Sequence, residues 1–376
     1  MRTRLFTPGP VMVPERALLK MAEPIFHHRT PQYETLFSEV NAKLKKLFLT
    51  EGDVIVLASS GTGAMETAVV NILSRDDRAV AVRGGKFGER WYEICVAYGI
   101  DVIPIDVEWG RAVRPEQIKK ALDENPGVKA VFTTQSETST GVFTDLKVIG
   151  EVMRGYDAAL VTDAVSGLGV HELRSDEWGL NMVVSGSQKT IMLPPGLGFI
   201  SVSPNTWGII ERSDLPKYYW DLKKYKKLLA RNQNPFTPPV SLIVGLNETL
   251  DMILEEGLEN MWARHALVAK AMKAGVYALG LELFPKDPSN VLTAIKLPEG
   301  LDGGVLVKAL KKNGIFPAGG QESLKGKIIR ISHIGYMDNY DILSALSGLE
   351  LSLKEIGYTS FEPGEAVRAA QKVFIA

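Results

Sequence analysis

The run Val54-Ile55-Val56-Leu57-Ala58, closed by Ser59-Ser60-Gly61 and continued as Thr62-Gly63-Ala64-Met65-Glu66, decides how this chain reads. An unbroken apolar run bounded by turn residues describes a strand buried on both faces. The next segment is helical. Met65, Ala68, Val69, Ile72 and Leu73 recur at i, i+3, i+4, i+7 and i+8, which puts them on one face. Thr62 is the expected N-cap of that helix. The same unit repeats downstream. Residues 79–82 end in Arg83-Gly84-Gly85, residues 102–105 end at Asp106, and residues 130–132 end in Thr133-Thr134-Gln135. Residues 158–161 end in Thr162-Asp163, and residues 182–184 end in Ser185-Gly186-Ser187. Short apolar runs alternating with amphipathic stretches predict an α/β fold with a mostly parallel sheet. Ligands of such sheets bind at the carboxyl ends of the strands, where Ser, Gly, Thr, Gln, Asp and Lys cluster here.

The remainder of the 376 residues frames this core. Helical periodicity resumes from Ser241, with Leu242, Leu246, Thr249, Leu250 and Ile253 on one face, and predicts a long helix leading out of a large domain that spans 16–258. Strand-like Leu292-Thr293-Ala294-Ile295 and Ile328-Ile329-Arg330-Ile331, mixed with helices, predict a smaller C-terminal α+β domain over 259–376. Lys and Arg number 43 against 44 Asp and Glu, so there is no global attraction to nucleic acid or to an anionic membrane. The basic aromatic stretch from Asp214 to Pro239 is therefore read as a solvated helix followed by an ordered loop at a subunit interface. The single cysteine, Cys95, excludes an internal disulfide framework and any multi-cysteine metal site. No apolar run approaches the roughly 20 residues that cross a bilayer. The opening residues break at prolines before a signal-peptide core could form. The expectation is a cytoplasmic protein.

Three features carry chemistry. Ser60-Gly61-Thr62-Gly63 opens a helix, where exposed N–H groups favour a phosphate, although a glycine-rich turn of this kind can also serve packing alone. It lacks the Gly-Lys-Ser/Thr ending of an ATP-binding loop and the third glycine of a dinucleotide fingerprint. Asp163 ends an apolar run in Thr162-Asp163-Ala164-Val165-Ser166, where a buried charge needs a partner and where an N-cap is the alternative. Lys189 comes after Ser185-Gly186-Ser187-Gln188, just past a buried strand, where partial desolvation would lower its pKa and free its amine to attack an aldehyde. An anion cradle, a carboxylate and an amine in this order at successive strand ends suit one cofactor, pyridoxal 5'-phosphate.

These motifs, together with Thr7-Pro8-Gly9-Pro10 and Glu137-Thr138-Ser139-Thr140-Gly141, make the chain similar to the class V aminotransferases of fold type I. Within them it resembles the alanine–glyoxylate, serine–glyoxylate and serine–pyruvate group. The resemblance runs from Thr7 to the Arg330 strand. It implies that Lys189 holds the cofactor covalently and shuttles the substrate proton, and that Asp163 pairs with the cofactor ring nitrogen. Thr62, Gly63, Ala64 and Gln188 would meet the phosphate, and Thr237 would reach the phosphate of a neighbouring subunit in a homodimer. Phe87 would stack on the ring, and Thr138 would lie beside cofactor and substrate. Arg330 would clamp the substrate α-carboxylate with its planar fork. Gly9 would belong to an N-terminal segment, 1–15, folded over the active site. Where some animal relatives carry Tyr this chain has Asn234, and where they carry His it has Ala64. The implied substrates are small amino acids and 2-oxo acids: serine or alanine as donor, glyoxylate or pyruvate as acceptor.

Other readings stay open at this level. Arg330 could be a structural ion-pair arginine. Aspartate as donor would need a second cationic clamp, and Arg29, Arg83 and Arg111 are unassigned. A non-catalytic scaffold subunit would dispense with Lys189 and Asp163, and both are present. A cysteine desulfurase of this fold would need an exposed, mobile cysteine, whereas Trp91, Ile94, Cys95 and Tyr98 share a helical spacing and predict a buried Cys95. His27-His28-Arg29 is read as a loop at the pocket entrance or against a partner subunit, with the adjacent imidazoles pointing to opposite sides of an extended chain and no metal bound.

Overall fold

The computed structural model describes residues 3–376 and contains two principal sheets. The larger has seven strands, in the order Asp53–Ser59, Gly196–Val202, Met182–Gly186, Ala159–Asp163, Val128–Thr134, Arg78–Arg83 and Asp101–Asp106. All pairings are parallel except those of Gly196–Val202, which runs antiparallel to both its neighbours. The apolar runs form these strands because both faces are covered. Val54 and Val56 enter one hydrophobic cluster while Ile55 and Leu57 enter another on the opposite face. Val131 and Phe132 divide in the same way.

The smaller sheet orders Arg4–Phe6, Ile315–Gly319, Ile328–Ser332, Leu292–Lys296 and Glu282–Leu283. Its first strand comes from the start of the chain and pairs parallel with Ile315–Gly319. The opening segment is thus stitched to the C-terminal sheet, then crosses to the large one, where Val11 N donates to Gln188 O at 3.3 Å. The long helix expected from Ser241 spans Val240–Glu256, with Leu246, Thr249, Leu250 and Ile253 buried and Leu242 at its margin. It ends at Gly257, whose φ of 82° breaks it from the Leu258–Ala278 helix. Between Asp214 and Pro239 a single helix, Leu222–Leu229, is capped by Asp221 and buries Leu222 and Tyr225. No described helix is long and apolar enough to cross a membrane.

The Lys86–Ala97 helix is fixed to the sheet by Trp91. Its indole is fully buried, stacks on Phe132 at 4.9 Å and donates to Thr133 O at 3.0 Å. Trp91→Ala is expected to lower stability by about 3–5 kcal/mol. Trp91→Phe, which keeps most of the apolar volume but orphans a buried carbonyl, should cost about 1–3 kcal/mol. Urea denaturation midpoints of the two variants check this ranking.

Candidate active site

The helix that opens the candidate site begins at Gly61 and ends at Ile72. Its N-cap is Ser60, not Thr62 as expected. Ser60 is the residue with extended backbone (φ −99°, ψ 174°), and its Oγ accepts from Gly63 N at 3.5 Å. Thr62 already lies in the first turn, exposed, and its hydroxyl accepts from Arg90 Nη1 at 3.1 Å. Ala64 N donates to Ser60 O, so the amides without intrahelical acceptors are those of Gly61, Thr62 and Gly63. Ala64 itself is fully buried.

Asp163 ends the Ala159–Asp163 strand, and Lys189 lies three residues beyond the adjacent Met182–Gly186 strand. Thr62, Phe87, Thr138, Asp163, Gln188 and Lys189 line one cavity, with Ser60 and Arg90 beside them. Burial pushes the Asp163 carboxyl up to about 6, opposed by the hydrogen bond its Oδ1 accepts from Val165 N at 2.7 Å and by the charge of Lys189. Burial likewise pulls the Lys189 ammonium down to about 8, while Asp163 opposes that shift and the charges of Arg330 and Arg90 add to it. An amine in this range is part neutral near pH 7 and so part nucleophilic.

Arg330 lies on the small sheet and is also buried, which lowers its guanidinium to about 10 and leaves it cationic at neutral pH. Its Nε and Nη2 donate to Gly319 O at 2.9 and 2.7 Å, and its Nη1 donates to Thr138 O at 2.7 Å. These bonds are to carbonyls, so Arg330 is not the ion-pair arginine that the sequence left open. Gly9 packs on Lys189: a Cβ there would fall 2.7 Å from Lys189 Cδ and Cε.

Thr237 stands apart from the other candidates, in a crevice beside Tyr219, Asn234 and Phe236. Asn234 accepts from Tyr33 OH inside the same chain. The two histidines do not diverge as expected. Residues 28–30 turn, and the rings of His27 and His28 lie 4.6 Å apart at 33°. Arg29 donates to Gln233 Oε1 at 2.8 Å, which ties that turn to the loop leading to Thr237. Cys95 is fully buried in its helix, and burial pushes its thiol up to about 12, far from a sulfur-accepting thiolate. Arg90, which sequence reasoning missed, lies one helical turn after Phe87, and its guanidinium sits 4.8 Å from that ring's centroid. The i, i+3 spacing is the signal that could have found it.

The residues present fit pyridoxal phosphate on two observations. The Gln188 side chain lines the cavity, and its buried Oε1 has no hydrogen-bond partner among the described residues, so the amide is free to turn its Nε2 donor toward a phosphate. The donor set offers helix-start amides without intrahelical acceptors for an anion, a buried acid for a protonated ring nitrogen and a partly neutral amine for an aldehyde. Size alone would point elsewhere. A cleft of about 660 Å³ lined by Asp77, Lys129, Arg154 and Arg212 lies at the opposite ends of the strands, and it holds no paired acid and amine of this kind.

Similarity to known proteins agrees with this chemistry. The family model described as aminotransferase class-V matches residues 19–344. The chain belongs to the class V aminotransferases, a family dependent on pyridoxal phosphate. A protein of Anabaena cylindrica named soluble hydrogenase 42 kDa subunit is 45% identical, over 98% of each chain. The L-aspartate–glyoxylate aminotransferase of Paracoccus denitrificans and the serine–glyoxylate aminotransferase of Methylorubrum extorquens are each 36% identical over 98% of this chain and 95% of theirs. Among solved structures, the ureidoglycine–glyoxylate aminotransferase of Bacillus subtilis superposes with a TM-score of 0.95 at 30% identity, over 100% of this chain and 99% of that one.

The geometry has two measurable consequences. Asp163 has a folded-state pKa raised from 3.8 to about 6, so its contribution to stability is fully present below pH 4 and is lost as pH rises through 6. In cofactor-free protein the melting-temperature difference between Asp163→Asn and wild type should therefore move in the variant's favour from pH 4 to pH 6.5. A difference that stays flat would place the titration at an ordinary carboxylate value. Gly9→Ala should displace the Lys189 side chain and reduce the cofactor content of the purified protein, read from its visible absorbance.

Proposed function

We propose that this aminotransferase moves the amino group of serine or alanine to glyoxylate or pyruvate in two half-reactions, the donor's 2-oxo acid leaving before the acceptor binds. The observation that carries the reading is the enclosed Lys189 amine, lowered to about 8 in the same cavity as Asp163. The 36% identity to a serine–glyoxylate aminotransferase supports the choice of substrates. When bound, pyridoxal phosphate supplies an electrophilic aldehyde and a ring that accepts electrons.

The chain's own residues do the rest. Lys189 Nζ would take the proton from the donor's α-carbon and hand it to the carbon that bore the cofactor's aldehyde, and the reverse transfer would serve the acceptor. Asp163 holds a proton on the ring nitrogen. The amides of Thr62 and Gly63, in the same first turn as Ala64, bind the phosphate with Gln188. Phe87 offers an apolar face to the ring, with Thr138 beside it, and Arg330 orients the substrate α-carboxylate. Gly9 covers Lys189 and limits water.

Thr237 lies outside its own chain's cavity, which supports a homodimer in which it serves the partner's phosphate. Residues 16–258 form the cofactor domain in this reading, 259–376 the small domain and 1–15 the covering segment. A cytoplasmic location is part of the same reading, supported by a composition with one buried cysteine.

Aspartate is the second reading. Arg83 and Arg111 are paired with Asp106 and Glu108, and Arg29 with Gln233, but Arg90 lines the cavity as a second cation. The relative named for aspartate and glyoxylate matches this chain as well as the one named for serine. The test is the visible spectrum of cofactor-loaded protein with each donor. Serine or alanine should convert the cofactor to its amine form, and glyoxylate should restore it. Conversion by aspartate alone, abolished in Arg90→Met, would replace the proposal with the second reading.

A further inference from the structure

Glu137 does not line the cavity, yet its carboxylate reaches both of the walls on which the proposed function depends. It is buried, 4% exposed, in the two-residue strand Ser136–Glu137, which follows the Val128–Thr134 strand and pairs with Val142–Phe143 across a tight turn. Oε2 accepts from Phe87 N and from Gly88 N, each at 2.9 Å. Those amides belong to the first turn of the Lys86–Ala97 helix, whose N-cap, Gly85, has no side chain to offer. Oε1 accepts from Ser139 N at 3.0 Å and from Ser139 Oγ at 2.6 Å. Ser139 Oγ in turn accepts from Lys86 N at 3.0 Å. One acidic residue and one serine from a distant loop thus serve the first turn that carries Phe87. The fit requires Gly85, because a Cβ there would lie 2.4 Å from Glu137 Cγ.

The second wall hangs on the same loop. Thr138, between Glu137 and Ser139, offers its carbonyl to Arg330 Nη1 at 2.7 Å. Its position is set on one side by the Glu137 side chain and on the other by the bonds that Thr140 N and Gly141 N donate to Glu137 O, at 3.2 and 2.7 Å. The aromatic ring and the guanidinium are therefore registered to each other through one carboxylate rather than through the small and large sheets separately.

We propose that Glu137 is a positioning residue for the transamination, fixing Phe87 against the cofactor ring and Arg330 against the substrate carboxylate. The inference rests on the reading that Phe87 and Arg330 have those roles. Replacing the carboxylate by an amide puts an N–H₂ against one of the two pairs of donors it now serves, with almost no change of shape.

The experiment compares cofactor-loaded wild type with Glu137→Gln and Ser139→Ala, using Phe87→Ala and Arg330→Lys as controls. Three quantities are read: the dissociation constant of pyridoxal phosphate, the visible circular dichroism of the bound cofactor, and KM against kcat for the amino donor. Glu137→Gln should weaken cofactor binding about tenfold or more, as expected when hydrogen bonds to a charged group are lost. It should also flatten the visible dichroism and raise the donor KM more than it lowers kcat. Ser139→Ala should move the same quantities less, and it keeps the test open should the glutamine variant fold poorly. Controls that respond while both loop variants match wild type would overturn the positioning role alone. Controls that do not respond would overturn the assignment of Phe87 and Arg330 beneath it.

Discussion

Withdrawal of an ammonium and a carboxylate from water into one cavity is the constraint on which the rest of the site depends. Each ion taken from water costs several kcal/mol, and mutual attraction repays that only in part. The opposite shifts of Lys189 and Asp163 express this: each is displaced toward its neutral form, and each restrains the displacement of the other. A protein that holds such a pair apart, on two neighbouring strand ends, is arranged for a third party with a cationic ring nitrogen and an aldehyde. Binding of such a molecule to the folded state alone also stabilises the fold by mass action. The parallel pairing of Ala159–Asp163 with Met182–Gly186 sets the spacing, because both strands deliver their loops to the same edge.

The start of the chain covers that edge at Lys189. Residues 4–6 are held in the small sheet by pairing with Ile315–Gly319, and Val11 is held by Gln188. Gly9 lies between these anchors with no room for a side chain over Lys189. The cover on the amine is therefore a taut strap fixed at both ends, and the same small sheet carries Arg330. Lysine burial and arginine position are mechanically linked through one sheet, so neither is a property of the large sheet alone.

Local features were the legible part of the sequence. Strands buried on both faces read as continuous apolar runs, and the Gly61–Ile72 helix showed its face through Met65, Ala68, Val69 and Ile72. Asp163 and Lys189 were legible because each sits directly behind such a run. The N-cap was misplaced by two residues because Ser60 and Thr62 are equally able to cap, and only the backbone angles show which one is extended. The histidine pair was misread because alternation assumes a strand where residues 28–30 turn. The partners of Arg330, two carbonyls from separate segments, and the reach of Glu137 across fifty positions to Phe87 are non-local, and no spacing rule contains them.

The restraint on Arg330 bears on how one site serves both a donor and an acceptor. Carbonyls of Gly319 and Thr138 hold the guanidinium before any substrate arrives, so little side-chain entropy is lost when a carboxylate binds. Amino acids and 2-oxo acids share that carboxylate, so on the proposed role of Arg330 a preset fork would bind both alike, as two successive half-reactions at one site would require. In the same proposal, discrimination between side chains would fall to Phe87, Arg90 and Thr62, which line the cavity as a connected set. A cation stacked on an aromatic ring can turn toward a second carboxylate or stay on the ring when the substrate is small. On these proposed roles, the choice between a small neutral donor and a dicarboxylate would be concentrated in one half-buried arginine, while the recognition common to both would be fixed by the backbone.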